Sequence, residues 1–283
     1  MLSLLLLLAL TALTCAQVPG LGFGPTYMMQ RTSSYLVEYS TTLRVPKYPD
    51  SSKGLIVIWP GINTDARPTN LVQTCIGAAA ARPSFCYDKA KGQQWCAFTS
   101  TNIGITKQKA GKGLPIEAGK DLFITYKYDE STKEFAQTLS IDGREVSHQS
   151  LAIGKGNRFN TAVEVQYGFS GTILAHSKSP TLTLIHVSPF SIPAATSVST
   201  RSVTGYLSVF ATAYKNNTFK FAAADPGFPR SLRIDKGVTA SKPVTKDGGK
   251  TWTVDEIMIP DSKYGSAKTA AAAASRKAST PTP

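Results

Sequence analysis

The chain has 283 residues, with 31 Lys and Arg against 18 Asp and Glu, a formal net charge of +13. Its basic residues are spread out: Lys107, Lys109, Lys112 and Lys120 in one stretch, Lys155 and Arg158 in another, Arg276 and Lys277 near the end. With no basic helix and no basic run interleaved with aromatics, nucleic acid is excluded as the natural partner; a solvated basic surface, or attraction to acidic glycans or a negatively charged wall, remains.

Leu2–Leu13 is almost unbroken leucine and is followed by Thr14-Cys15-Ala16. This apolar core is too short to span a bilayer, and the small residues fit a cut after Ala16, so residues 1–16 read as a secretory signal. The remaining chain is expected to be exported, extracellular and without a membrane span. Loss of the signal leaves Cys75, Cys86 and Cys96. An odd count implies one bridge and one free thiol. Cys86–Cys96 would close a polar loop between strands, leaving Cys75 as a small buried hydrophobe.

Residues 17–34, rich in Gly and Pro, are expected to be irregular. Tyr35–Val45 alternates as a strand does, and Pro46–Ser52 makes a turn region. Leu55–Trp59 is a continuous apolar run closed by Pro60-Gly61, which suits a buried strand. Asn70–Gly77 is a further short apolar strand with one amide, Gln73, in its middle. Leu71, Gln73 and Cys75 share one face of it, and Val72, Thr74 and Ile76 the other. A buried amide without partners costs about 1–3 kcal/mol, so Gln73 must be paired or line a cavity. Gln94–Ser100 is another strand candidate, and the Gly- and Lys-rich stretch Lys107–Gly119 reads as a loop.

Asp121–Tyr128 and Ala136–Ile141 are joined by a hairpin connection, and Asp142-Gly143 gives a second tight turn. Thr161–Tyr167 puts Val163 and Val165 on one face and Ala162, Glu164 and Gln166 on the other. Gly171–Ala175 and Thr181–Val187 follow. Phe190–Arg201 reads as a linker or edge, with further strands at Thr204–Tyr214, Thr218–Ala223 and Trp252–Ile259. Residues 191–261 would extend the fold or form a small β-unit, and residues 262–283, dominated by Ala, Ser, Lys, Thr and Pro, are expected to be disordered. Short strands at regular spacing predict an all-β, two-sheet jelly-roll sandwich over residues 35–190, with additional C-terminal strands.

Several motifs fail on inspection. Gly113–Lys120 has the wrong spacing for a phosphate loop, and Gly168-Phe-Ser170-Gly171 is not a nucleophile elbow. His148, His176 and His186 lack zinc-ligand spacing, so no metal and no cofactor is expected. Thr245–Trp252 resembles a single Asp-box hairpin and reads as a stabilised turn. Asn216-Asn217-Thr218 is a glycosylation sequon with Asn216 as its acceptor.

Trp59-Pro-Gly61-Ile62, Leu71-Val-Gln73-Thr74, Gln94-Trp95-Cys96, Ala118-Gly-Lys-Asp121 and Ala162-Val-Glu164-Val occur in that order. This string resembles a group of secreted, fungal-type β-sandwich proteins. More distantly, it is similar to the eqolisin-type glutamic peptidases. The resemblance implies a concanavalin A-like jelly roll and an acid-active endopeptidase working through a Gln–Glu pair, which would fall on Gln73 and Glu164. In that chemistry a carboxylate deprotonates a water that attacks a carbonyl, while the amide N–H donates to the oxyanion. Trp95 would wall the groove or fill the core. A concave sheet lined by Gln73 and Glu164 equally suits a glycan, with Gln166, Tyr126 and Tyr128 as further contacts. A third reading is a satisfied Gln–Glu hydrogen bond without catalysis. A polypeptide or glycan is therefore the expected ligand.

Overall fold

Alternating apolar and polar residues, interrupted by Gly, Pro, Asn and Asp, favour strands and tight turns throughout the chain. The computed structural model describes residues 21–51, 54–66, 69–79, 86, 93–104, 107–166, 171–173 and 213–264. The signal segment, Thr181–Val187, Phe190–Arg201, most of Thr204–Tyr214 and most of the tail lie outside them.

The strands of the first part are β1 (Gly22–Phe23), β2 (Tyr27–Met29), β3 (Leu36–Arg44), β4 (Asp50–Ser51), β5 (Leu55–Thr64), β6 (Leu71–Ala79) and β7 (Trp95–Ile103). Next come β8 (Lys107–Ala110), β9 (Leu114–Ile116), β10 (Asp121–Asp129), β11 (Glu134–Ile141), β12 (Arg144–Ala152), β13 (Gly156–Gln166) and β14 (Gly171–Ile173). The last part holds β15 (Ala213–Phe221), one helical turn α1 (Phe228–Ser231), β16 (Leu232–Ile234), β17 (Thr239–Ala240), β18 (Val244–Thr245), β19 (Thr251–Met258) and β20 (Ser262–Tyr264). No described helix is long and apolar enough to cross a membrane.

The pairings give an all-β antiparallel fold in which a 17-stranded sheet wraps into two layers, beside a separate three-stranded sheet of β4, β14 and β20. One layer runs β12–β11–β10–β3–β15–β19. The other runs β7–β6–β5–β13, with β1 and β2 on the far side of β13. Between them lies a column of aromatic rings: Tyr39 packs 4.4 Å from Phe159 and 4.9 Å from Phe219, and Phe219 packs 5.1 Å from Phe228. Each such ring pair adds about 0.5–1.5 kcal/mol beyond area burial. β15 and β19 belong to this wrapped sheet, whereas β20 pairs with β14 in the three-stranded one. Where β7 meets β12, side chains join the layers: Thr99 Oγ1 lies 3.0 Å from Ser147 Oγ, and Thr101 Oγ1 donates to Gln149 Oε1 at 2.8 Å.

Several expectations need correction. The N-terminal segment is not wholly irregular, because the apolar Tyr27 and Met29 are buried and β2 pairs with β13 and β16. Lys107–Gly119 is not a loop throughout: β8 and β9 both add to β7, with the lysines of β8 turned to solvent. β12 is a further strand, whose mixed composition hides its pairing with β11. Thr218–Ala223 is the end of a longer strand, β15, interrupted at Asn216, where φ is 54°. The expected tail begins with a strand, since β20 pairs with β14.

Pro60 does not close β5, which continues to Thr64. Proline lacks an N–H and interrupts a strand ladder. The β5–β6 register holds at Ile58 with Ile76 and again at Gly61 with Gln73. Between these points the hydroxyl of Tyr126, from the opposite layer, enters the gap. It accepts from the Thr74 N–H at 2.6 Å and donates to the Pro60 carbonyl at 2.7 Å. Tyr126→Phe strands both groups in the core and is expected to cost about 1–3 kcal/mol. The check is urea unfolding, where the midpoint should fall with an unchanged slope.

The β18–β19 turn is the hairpin expected at Asp247. Its carboxylate accepts from the Thr251 N–H at 2.8 Å and from Thr245 Oγ1 at 3.0 Å. These bonds lower its pKa from 3.8 to about 2. The lowered value favours the ionised folded state, so this stabilisation is present above about pH 4 and disappears as pH falls through about 2. Asp247→Asn should flatten the acid limb of a stability–pH curve across that window, measured by thermal unfolding, and leave the neutral limb's shape unchanged.

Candidate functional site

Strand alternation gives the β5–β6–β7–β13 layer two faces. Ile56, Ile58, Ile62, Val72, Ile76 and Val163 point into the main core. Val57, Trp59, Leu71, Cys75, Cys96, Phe98 and Ala162 form a second cluster on the opposite face. Gln73 and Glu164 alternate in step with this second set, so both belong to that face. Cys86, bonded to Cys96 as expected, packs on the same cluster and helps to cover it. Its loop is short, and by chain entropy the bridge is worth about 3 kcal/mol.

Glu164 is half-buried and held by two donors. Trp59 Nε1 donates to its Oε2 at 3.0 Å, and Gln166 Nε2 donates to its Oε1. Both bonds fix the orientation of the carboxyl group and leave oxygen lone pairs free. Gln73 is 5% exposed; its Nε2 donates to Ser100 Oγ at 3.4 Å, while its Oε1 has no partner. Ser100 Oγ also accepts from Gln108 Nε2 at 2.8 Å. Cys75 is the buried free thiol, its pKa pushed up by burial and further by the nearby Glu164 charge. That shift leaves it protonated and unreactive at neutral pH.

The register locates these groups relative to one another. Gln73 lies opposite Gly61 on β5, and Glu164 lies opposite Val57 on the other edge of β5. They are two strands apart and offset by four positions along the sheet. On a flat sheet that separates their Cα atoms by about 16 Å. Trp59, opposite Ala162 and set by the flanking register against Cys75, stands between them. The β13 residues nearest to Gln73 on this face are Asn160, opposite Gly61, and Ala162, opposite Trp59. Asn160 Nδ2 donates to Asn63 Oδ1 at 2.8 Å. A side chain at Gly61 would meet Leu71 Cδ1 at 2.8 Å, so glycine is what lets Leu71 and Trp59 close over this point.

Of the remaining expected contacts, Gln166 sits at the site as the partner of Glu164. Trp95 does not: it is 0% exposed in the main core, with its indole donating to the Pro46 carbonyl at 3.0 Å. Tyr126 is likewise 0% exposed, spent on the β5–β6 gap, and touches no ligand surface. Tyr128, 6% exposed, packs against Phe135 and Tyr35. All three point inward because their strand positions alternate with the main core. Asn216 is exposed at the β15 bulge. Among the described residues no group of three or more His, Cys, Asp and Glu side chains comes together.

Trp59 is the residue that sequence reasoning missed as a site group. The alternation Leu55, Val57, Trp59, Gly61, Asn63 carried the signal. An expected strand end at Pro60 hides it, because proline interrupts a ladder.

No protein-family model and no curated protein sequence matches this chain. Among solved structures, a scytalido-glutamic peptidase with a peptide-based transition-state analogue is 14% identical, over 82% of this chain and 97% of that one, with a TM-score of 0.42. SCP-B, a member of the eqolisin family of peptidases in complex with the tripeptide Ala-Ile-His, is 14% identical, over 82% and 96%, with a TM-score of 0.39. The galectin LEC-6 of Caenorhabditis elegans is 11% identical, over 52% and 91%, with a TM-score of 0.30.

Proposed function

We propose that this chain is an exported β-sandwich that binds an extended polymer, polypeptide or glycan, at the Glu164 end of the β5–β13 face without cleaving it. The observation that carries this reading is the position of Trp59 between Gln73 and Glu164. Hydrolysis by a carboxylate–amide pair needs one water in reach of both groups, with side-chain tips within about 6 Å. The strand offset puts their Cα atoms about 16 Å apart on a flat sheet with Trp59 between them, and the β13 positions beside Gln73 are an amide and a methyl group. Glu164, fixed by Trp59 and Gln166, then serves as an oriented acceptor for hydroxyl or amide donors of a bound chain.

The peptidase reading keeps one specific observation in its favour: Gln73 and Glu164 share a face, and the carboxylate is already oriented. Digestion of an unfolded protein from pH 2 to 7, with Glu164→Gln and Gln73→Ala in parallel, separates the two. The expected result is no cleavage by any of the three, together with retention of the wild type on a polypeptide and glycan panel. Glu164→Gln should weaken that retention by about tenfold, the value of one charge-assisted hydrogen bond, whereas Gln73→Ala should leave it within about twofold. Acid cleavage that resists chelators and vanishes in both variants would overturn the binding reading and establish the peptidase. Absence of both cleavage and retention would overturn both.

A further inference from the structure

At the opposite end of the same sheet, three strand ends converge and each carries an arginine. β2 pairs with β13 through Met29 and Phe159, which brings Arg158 beside the end of β2. β2 also pairs with β16, and the Gln30 N–H donates to the Ser231 carbonyl at 2.9 Å, which sets Arg31 beside Arg230. Two hollows meet at Arg31. One, about 150 Å³, is lined by Arg31, Arg158 and Asn157 among others. The other, about 480 Å³, is lined by Arg31, Arg230, Thr32, Ser33 and Ser231 among others.

All three arginines are exposed, and among the described residues none of their guanidinium groups has a hydrogen-bonding or acidic partner. Two acids line the hollows, but both are engaged elsewhere. Asp225, 2% exposed, accepts from the Ser33 and Ser34 N–H groups, from Ser33 Oγ and from the Gly227 N–H. Asp65 accepts from the Lys155 N–H at 2.7 Å. Three guanidinium charges against two carboxylates leave the lining with an excess of positive charge, which an anion can meet.

We infer that this groove binds a carboxylate-bearing polysaccharide, its uronate groups on Arg31, Arg158 and Arg230 and its hydroxyls donating to the Thr32, Ser33 and Ser231 oxygens, whose own hydrogens are spent on the Ser34 carbonyl, Asp225 and the Phe228 carbonyl, with Asn157 beside them. The guanidinium fork matches a carboxylate bidentately, which an ammonium does not. Among the described residues the lining carries hydroxyl, amide and carboxylate groups beside the arginines and no aromatic ring, which offers a nucleic-acid base nothing to stack on and a peptide side chain no apolar pocket. The surplus of 31 basic over 18 acidic residues adds long-range attraction to such a polymer. This inference rests on different residues from Glu164 and holds whether or not that site binds.

Isothermal titration of the full chain with polygalacturonate oligomers tests it, beside the methyl-esterified oligomer and oligo-glutamate of equal length. Binding to the uronate, with at least about tenfold weaker binding to the ester and to oligo-glutamate, is expected. Arg31→Ala and Arg230→Ala should each weaken it about tenfold or more, in line with lost charge-assisted bonds. Arg31→Lys should recover only part of the loss. Lys127→Ala, an equal charge change on an exposed position of β10, should stay within about twofold. Equal binding of acid and ester, tighter binding of oligo-glutamate, equal losses in Lys127→Ala and the arginine variants, or no binding at all would overturn the inference.

Discussion

The interaction on which the rest depends is one phenolic hydroxyl inserted between two strands. Pro60 cannot donate, and it stands in the centre of the strand that holds β6 and β13 together. Without a substitute, the Thr74 N–H and the Pro60 carbonyl would be buried and unpaired on the core side of the layer. Tyr126 supplies both missing partners from the opposite layer, so the same contact ties the two layers together at this point. The gap lies directly behind the residues that give the outer face its chemistry. Trp59 precedes Pro60, and Gly61 follows it opposite Gln73. The position of the indole, and therefore the orientation of Glu164, depends on how this gap is held.

Polar groups inside this sandwich are almost all spent on joining strands. Asn217 donates to the Tyr214 and Val254 carbonyls and accepts from the Tyr39 and Thr41 hydroxyls, so one amide ties β3, β15 and β19. Gln137 donates to the Ser100 carbonyl and to Thr101 Oγ1, linking β11 to β7. A buried amide with its partners in place specifies one arrangement of strands, because any shift in register leaves it unpaired. Gln73 and Gln137 depart from this in the same way: each bonds through its amide nitrogen, while its carbonyl oxygen has no partner among the described residues.

The fold was largely legible in the sequence because strand alternation is a local signal. The faces assigned to Gln73, Cys75, Val163 and Glu164 follow from a period of two and are those observed. The failures have equally local causes. Trp95 and Tyr126 are large amphipathic side chains whose polar tips suggested contact with a ligand, yet each tip is spent on a backbone carbonyl inside the protein. The β8 lysines masked an edge strand because charged residues are what keep an exposed edge from pairing with other chains. The distance between Gln73 and Glu164 was not legible at all. Two residues on one face of one sheet can be neighbours or far apart, and only the register decides, which short motifs do not encode.

The bulge at Asn216 bears on the order of events as the chain matures. Asn216 itself is exposed, but its neighbour Asn217 is locked by four hydrogen bonds, and Thr218 is paired with Thr253 on one side and Ser40 on the other. An oligosaccharide transferase must grip the acceptor asparagine together with the residue two places on, in a pliable segment. Once β15 has been clamped between β3 and β19, that segment is no longer free. Were Asn216 to carry a sugar, it would have to be attached before β15 is clamped between β3 and β19, and the folded protein would be a poor substrate for the same reaction.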